Sequence, residues 1–507
     1  MTPTPKLPIV YVRGYAGGTA AIDKAVADPF YGFNEGSTHI RIGPDDAAYF
    51  YEFESPLLRL HLDEGYRILV DGGQAPYLAG HDTIPPDTIW IHRFYDPSAS
   101  TWGTRPQEFR LETAAADLLR LIDTVRAKSG AERVHLVAHS MGGLVCRCLI
   151  QKILPDLGRD PDDCVGKLFT YGTPHGGIAF DVGFGLLERL RDATGVNGAE
   201  IFGRERMYEY LTPKSETDPD GPPPAWDARA MPEDGQFPFP RERVFCLIGT
   251  DPTDYDVALG LSAATVGPRS DGLVRIDNAY VPGAHQAYVH RSHSGRYGLV
   301  NSEEGYQNLR RFLFGDRRAE AELVGVRLPR RADTAWQAEV RLSVRGLRIV
   351  THERTSAHWC PVQLPDGGTD GASDEAATVP LVDTFLCSGL RPDETGTMRY
   401  ALHLRILSLR RRDGLLSFDD HLEQTADFDD ILVIDVRADP AAPVPAITAT
   451  WNSEITGPIS SYEPDSHALR DEDPTPGAWV GRIPLPATAA PILGEDARIR
   501  LTVTSWH

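Results

Sequence analysis

Val134-His135-Leu136-Val137-Ala138-His139-Ser140-Met141-Gly142-Gly143-Leu144-Val145 is a strand that becomes a helix with no room for a loop between them. Arg133 to Ala138 is an apolar, β-branched run of strand length, and Gly142 to Leu154 has the apolar spacing of a helix. Where they meet stands small-x-Ser-x-Gly, with Ala138 and Gly142 around Ser140. A turn this tight tolerates only small neighbours, and it lifts the serine hydroxyl clear of the sheet. The plain alternative is a strand–turn–helix junction that happens to contain a serine.

On either side the same alternation continues. Upstream, Leu7 to Val12 and Thr88 to Phe94 are short apolar strand candidates. Leu111 to Lys128 carries apolar residues at Leu111, Ala114, Ala115, Leu118, Leu119, Ile122 and Val125, a helical stripe that Gly130 stops. Downstream, Lys167 to Tyr171 and Val244 to Ile248 complete the strands. Alternating β and α predicts an α/β domain over residues 1–315, a mostly parallel sheet covered by helices. Two insertions interrupt it. Tyr31 to Pro86 is polar, aromatic and turn-rich, and Asp181 to Pro240 opens with a helical stretch, Val182 to Leu190, and ends in Pro- and Gly-rich loop. A long segment between core strands is where a lid over a pocket would sit, and a surface excursion is the equal alternative. After Phe314-Gly315-Asp316 helical periodicity fades. Strands are expected at Ala321–Leu328, Trp336–Val350, Thr378–Phe385, Met398–Leu409, Ile431–Val436, Ala446–Trp451, Trp479–Ile483 and Ile499–Val503, a β-sandwich-like second domain over 316–507.

The elbow at Ser140 resembles that of the α/β-hydrolase superfamily, lipases especially, with Ala138 where the first glycine usually stands. The resemblance covers Leu7 to about Phe314 and implies a serine carboxylic ester hydrolase working through an acyl-enzyme. Its oxyanion loop would be Arg13-Gly14-Tyr15-Ala16-Gly17-Gly18, with the N–H groups of Tyr15 and Met141 as donors; Arg13 replaces the usual histidine. A glycine-rich turn without chemistry is the bland reading of that loop. Since the chain opens on this strand, the sheet is expected to lack the first two strands of the full fold.

The acid and the base should follow Ser140 in that order. Asp251, Asp254 and Asp256 lie just beyond the strand Val244 to Ile248, where many relatives keep the acid. Ser270-Asp271-Gly272-Leu273-Val274 resembles instead the acid-bearing motif of true bacterial lipases, and His293 follows Asp271 by 22 residues, a lipase-like distance. The resemblance therefore implies Ser140, Asp271 and His293 as the catalytic set. A turn-forming Asp-Gly pair is the structural reading of Asp271, and His285 and His290 are rival bases. Gly172-Thr173-Pro174-His175-Gly176-Gly177 is similar to a pocket-wall loop of lipases, with His175 expected to be structural; His139 is expected to pack beneath the elbow. The calcium-binding lipases carry an Asp two residues after their histidine, and that position is Gly295, so no metal and no cofactor is expected.

Composition narrows the partners. Of 507 residues, 51 are Lys or Arg and 72 Asp or Glu, a formal charge of −21 that disfavours nucleic acid and anionic membranes. The first apolar run, Ile9 to Val12, is too short for a leader, and no run approaches the ~18 residues of a membrane helix. The six cysteines lack zinc-type spacing and are read as reduced thiols of a cytoplasmic protein, a secreted form without its leader being the alternative. The substrate expected is an ester with an apolar acyl chain held beneath the 181–240 insertion. An acyltransferase, phospholipase or amidase on the same fold, and a non-catalytic binding protein, are the rival readings.

Overall fold

The computed structural model describes residues 6–14, 19–42, 47–69, 73–99, 109–178, 200–253, 266–329, 334–365, 377–390, 397–410, 426–437, 445–455, 457, 462, 469–473, 475 and 477–506. The chain divides into two compact units, Met1–Gln286 with Arg291–Tyr306, and Ala287–His290 with Gln307–His507.

The first unit is built on β1 (Ile9–Val12), β2 (Ser37–Ile42), β3 (Ala48–Phe53), β4 (Arg67–Ile68), β5 (Thr88–His92), β6 (Val134–His139), β7 (Val165–Tyr171) and β8 (Val244–Gly249), and β9 (His285–Val289) begins in it and passes into the second. Seven of these form one sheet in the order β4-β5-β1-β6-β7-β8-β9. The pairs β4–β5, β5–β1, β1–β6, β6–β7 and β7–β8 are parallel, with Ile9 opposite both Ile89 and His135. β1, β5, β7 and β8 are buried along their whole length, as a sheet covered on both faces requires. From β1 the chain goes to one side to make β5, then crosses to the other side for β6, β7 and β8. The ends of β1 and β6 therefore meet where the strand order reverses, the crevice in which open α/β sheets place their chemistry.

The helix Leu111–Ser129 buries the seven apolar residues of its stripe and ends on Gly130 with φ 69°. The helix after the elbow, Met141–Cys148, passes into a π-helical turn, Leu149–Ile153. The segment read as turn-rich, Tyr31 to Pro86, holds more order than its composition announces. β2 and β3 form an antiparallel hairpin. The helix Pro56–Glu64 starts on Ser55, whose hydroxyl accepts the Leu58 N–H, and stops on Gly65 in the left-handed conformation. β4 then becomes the edge of the main sheet. In the other insertion a helix spans Arg204–Leu211, while the helical stretch expected at Val182 to Leu190 lies outside the described residues.

The second unit contains two antiparallel sheets. One has the order β14-β10-β19-β18, from Ala377–Leu386, Arg317–Val326, Arg498–Ser505 and Ala478–Pro484. The other runs β12-β11-β15-β16-β17, from Val350–Arg354, Thr334–Val344, Thr397–Arg410, Phe428–Arg437 and Ala446–Trp451, with β13 (Val362–Gln363) on β11. Alternate residues of both sheets, among them Trp336, Leu404, Trp451, Trp479 and Leu501, enter one apolar core. The single strand expected over 336–350 is two, because Gly346 turns at φ 93°.

One charge in the first unit is out of keeping with its surroundings. Lys167 lies within the fully buried β7, and burial, with the nearby Arg243 charge, brings its ammonium down to about 7. A base whose folded value is depressed costs stability below that value and ceases to do so above its unfolded value near 10.5. Stability should thus rise with pH between about 7 and 10. Lys167→Met should be more stable than the wild type by roughly a few kcal/mol at pH 7, the gap closing toward pH 10. Urea unfolding at several pH values measures it; a gap independent of pH would mean that Lys167 ionises alike in both states.

Candidate active site

Ser140 directly follows β6 at φ 53° and ψ −128°, a conformation that a side-chain-bearing residue adopts only under constraint. The constraint is visible around it. Its N–H donates to the Tyr171 carbonyl at 2.9 Å, and its carbonyl accepts the Thr173 hydroxyl at 2.8 Å. A Cβ on Gly142 would stand 2.2 Å from the Val12 carbonyl oxygen, and one on Gly143 would stand 2.2 Å from Thr173 Oγ1. Both glycines are needed for the helix to start against β1 and the 172–177 loop. A serine before a helix commonly caps it, but the Ser140 hydroxyl makes no such bond. It lies instead 2.9 Å from His293 Nε2.

His293 Nδ1 is 2.8 Å from Asp271 Oδ2. A carboxylate can only accept, so Nδ1 carries the proton and Nε2 is left to accept from the serine hydroxyl. All three residues are almost wholly buried, at 4% for Ser140, 1% for Asp271 and 3% for His293. Asp271 serves two ends: Oδ1 accepts the N–H groups of Leu273 and Val274, while Oδ2 faces the imidazole. The turn-forming and the histidine-facing readings of this residue thus hold together. The Asp271 carbonyl also accepts the His293 N–H at 2.8 Å, which fixes backbone as well as ring.

The rivals are engaged elsewhere. His285 Nε2 donates to the Glu242 carbonyl, and the His290 ring stacks on His358 at 3.7 Å. Asp251 Oδ1 accepts the N–H and the hydroxyl of Thr253. Asp254 and Asp256 lie outside the described residues, as does Tyr15. Met141 occupies the first position of its helix, whose N–H has no acceptor within the helix and points out with the positive end of the dipole. His175 is enclosed by Thr170 and Cys246, and burial and the Arg147 charge keep its ring neutral. Gly295 turns at φ 93°.

Three supports go beyond the sequence expectations. His139 Nε2 donates to the His293 carbonyl at 2.9 Å, and burial, then the neighbouring His293, hold His139 well below the ordinary imidazole value. Arg291 pairs through two nitrogens with Glu304, both side chains at 7% exposure or less, so the loop bearing His293 is tied to the first turn of the helix Glu303–Phe314. A Cβ on Gly172, which turns at φ 51°, would meet Asp271 Oδ2 at 2.9 Å and His293 Nδ1 at 3.2 Å. The Gly-Thr-Pro loop is the one legible signal among these.

The six cysteines are free thiols, and among the described residues no helix is long and apolar enough to cross a membrane. An apolar cleft of about 450 Å³ is walled by residues including Val26, Phe30, Leu57, Ile68, Ile89 and Ile91.

Residues 74–170, which take in the elbow at Ser140, match the sequence family described as the alpha/beta hydrolase fold. The chain has the α/β-hydrolase fold. Solved structures similar to it include the mature lipase BlEst2 of Bacillus licheniformis, 15% identical, covering 62% of this chain and 94% of that one at a TM-score of 0.31. The product of gene lin2722 of Listeria innocua is 12% identical over 61% of this chain and 94% of its own, at 0.26. The carboxylesterase CesB of Bacillus subtilis is 11% identical over 61% and 83%, at 0.19.

Gly14 offers a direct check of the packing around Ser140. A Cβ there would stand 2.6 Å from Ser140 Cβ and 3.0 Å from the His139 carbonyl oxygen. Gly14→Ala should slow phosphonylation of Ser140 by a fluorophosphonate by roughly tenfold or more, since small displacements at a reacting centre are costly. An unchanged labelling rate in the folded variant would show that the strand end yields freely.

Proposed function

We propose that this protein is a serine carboxylic ester hydrolase acting through an acyl-enzyme. The observation that carries the reading is the buried line from Ser140 Oγ through His293 to Asp271, at 2.9 and 2.8 Å. Ser140 Oγ attacks the ester carbonyl carbon as its proton passes to His293 Nε2, and the carbonyl π pair moves onto oxygen. Met141 N–H, and Tyr15 N–H by the lipase-like reading of its loop, stabilise that oxyanion. Collapse expels the alkoxide, which takes the proton from His293. Water, deprotonated by the same imidazole, then attacks the acyl group, and Ser140 leaves with its proton restored. Asp271 holds the tautomer and stabilises the imidazolium without taking its proton.

The reaction needs no cofactor in this reading, and Gly295, with no carboxylate to offer, gives calcium no ligand at the lipase position. The substrate proposed is an ester whose acyl part is apolar.

Hydrolysis of p-nitrophenyl esters tests the assignment. Ser140→Ala should abolish turnover and fluorophosphonate labelling while the protein stays folded. His293→Ala and Asp271→Asn should each cost on the order of 10³ or more in kcat, because members of such a set act together. His290→Ala and Asp251→Asn should cost far less; an inactive Asp251→Asn beside an active Asp271→Asn would move the acid to the strand end. Treatment with EDTA should leave both turnover and the thermal midpoint where they were, and a loss restored by calcium would reveal ligands other than those of the lipase motif.

A further inference from the structure

Tyr31 is bent against its own side chain. It has φ 51° and is 2% exposed, a left-handed conformation that a bulky residue seldom takes in a turn where nothing compels it. Local bonds compel it here. Asp28 Oδ1 accepts the Phe30 N–H at 2.9 Å, Asp28 Oδ2 accepts the Gly32 N–H at 2.7 Å, and the Tyr31 N–H donates to the Asp28 carbonyl at 3.2 Å. The ring is held at its far end as well. The hydroxyl donates to Asp96 Oδ1 at 2.5 Å, the Arg93 guanidinium covers the ring face at 4.7 Å, and Arg93 Nε donates to Asp96 Oδ2 at 2.9 Å.

What this conformation achieves is the direction of one carbonyl. The Tyr31 oxygen accepts Arg13 Nη1 at 2.8 Å. Arg13 directly precedes Gly14, whose Cβ position is 2.6 Å from Ser140 Cβ, and the Arg13 carbonyl oxygen is 2.6 Å from the Cβ position of Gly142. The arginine therefore holds the stretch of backbone against which the serine elbow is pressed. It also directly precedes, in sequence, the Gly14-Tyr15 pair that the lipase-like reading assigns to the oxyanion loop.

We propose that Tyr31 and Arg13 are positioning residues for Ser140: the constrained Tyr31 backbone presents its carbonyl to Arg13, and Arg13 fixes the end of β1 against the nucleophile. This rests on the reading of Ser140 as the nucleophile. Strain kept in place by surrounding structure is a recurrent means of preorganising a reacting centre. The line is anchored on three sides, by the Asp28 turn, by the Asp96–Arg93 pair and by the Gly32 carbonyl, which accepts Asn301 Nδ2 at 3.3 Å.

The experiment is a double-mutant cycle of Arg13→Met and Tyr31→Phe, read on p-nitrophenyl acetate, on the rate of fluorophosphonate labelling and on the thermal midpoint. The expected result is a fall in kcat and in labelling rate of roughly tenfold for Arg13→Met, with KM nearly unchanged, since the loss concerns geometry at the reacting centre and not ground-state binding. Arg13→Lys, which can still reach the carbonyl, should recover part of it. Tyr31→Phe keeps the ring and loses only the Asp96 bond, so it should give a smaller fall in the same direction, and the two effects should combine to less than their sum. Folded variants with wild-type kcat, a change confined to KM, or effects that add independently would each overturn the proposal. A wild type inert toward both ester and probe would overturn the hydrolase reading itself, which separates the two failures.

Discussion

The backbone contact between the end of β1 and the elbow after β6 is the constraint that sets the arrangement around Ser140. Two strands adjacent in a parallel sheet stand so close that the segments leaving their ends must share one space. Here the sharing is possible only because Gly14 and Gly142 have no side chain to place in it. Once they are in contact, Ser140 has no freedom to relax to an ordinary conformation, and its hydroxyl cannot turn back to cap its own helix. It faces His293 instead. The helix that starts there aims its unsatisfied N–H groups at the same crevice, so in the proposed reaction the donors for a developing negative charge come with the turn that exposes Ser140.

His293 arrives from a distant part of the chain and must be held independently. Four attachments do so: its ring on Asp271, its N–H on the Asp271 carbonyl, its carbonyl under His139, and its loop through the Arg291–Glu304 pair. His139 is suited to this because burial keeps it uncharged, so it donates one bond without placing a cation beside the imidazole. A buried ion pair adds little net stability by itself, because desolvating both charges offsets their attraction. Its value at Arg291 is geometric, since two bonds in a fixed fork leave the loop one orientation.

Much of this is legible in the sequence, and the reasons differ from element to element. The helix Leu111–Ser129 is readable because its apolar stripe and its glycine stop are local facts, and the residues of that stripe are the ones the fold buries. Ser140, Asp271 and His293 can be named from two motifs and a separation, and the fold brings them within hydrogen-bonding distance. The hairpin and helix between Tyr31 and Pro86 escape such a reading although Ser55 and Gly65 stand where caps stand, because aromatic and polar residues hide the alternation. Gly346 is lost in the same way, between strand-like apolar residues that continue on both sides of it, from Val344 to Leu347 and Ile349. The task of His139 cannot be read at all. It depends on a carbonyl 154 positions away, and nothing local distinguishes it from a histidine that merely packs.

Strain joins Ser140 to the rim of the sheet. Among the described residues three without the freedom of glycine have positive φ, and two of them, Tyr31 and Ser140, lie on one run of contacts through Arg13 and Gly14. Neither conformation is favourable locally, so each persists only while its surroundings over-determine it. For Ser140 these are buried strands on both sides and the Thr173 hydroxyl; for Tyr31 they are the Asp28 turn and the Asp96–Arg93 pair. The parallel core supplies the first without any residue devoted to it, since β1, β6 and β7 would be buried whatever their ends carried. The second draws on side chains at the sheet's rim, which the core does not require. A fold could keep its sheet and lose the Tyr31 turn, and the end of β1 would then be held by packing against the elbow alone.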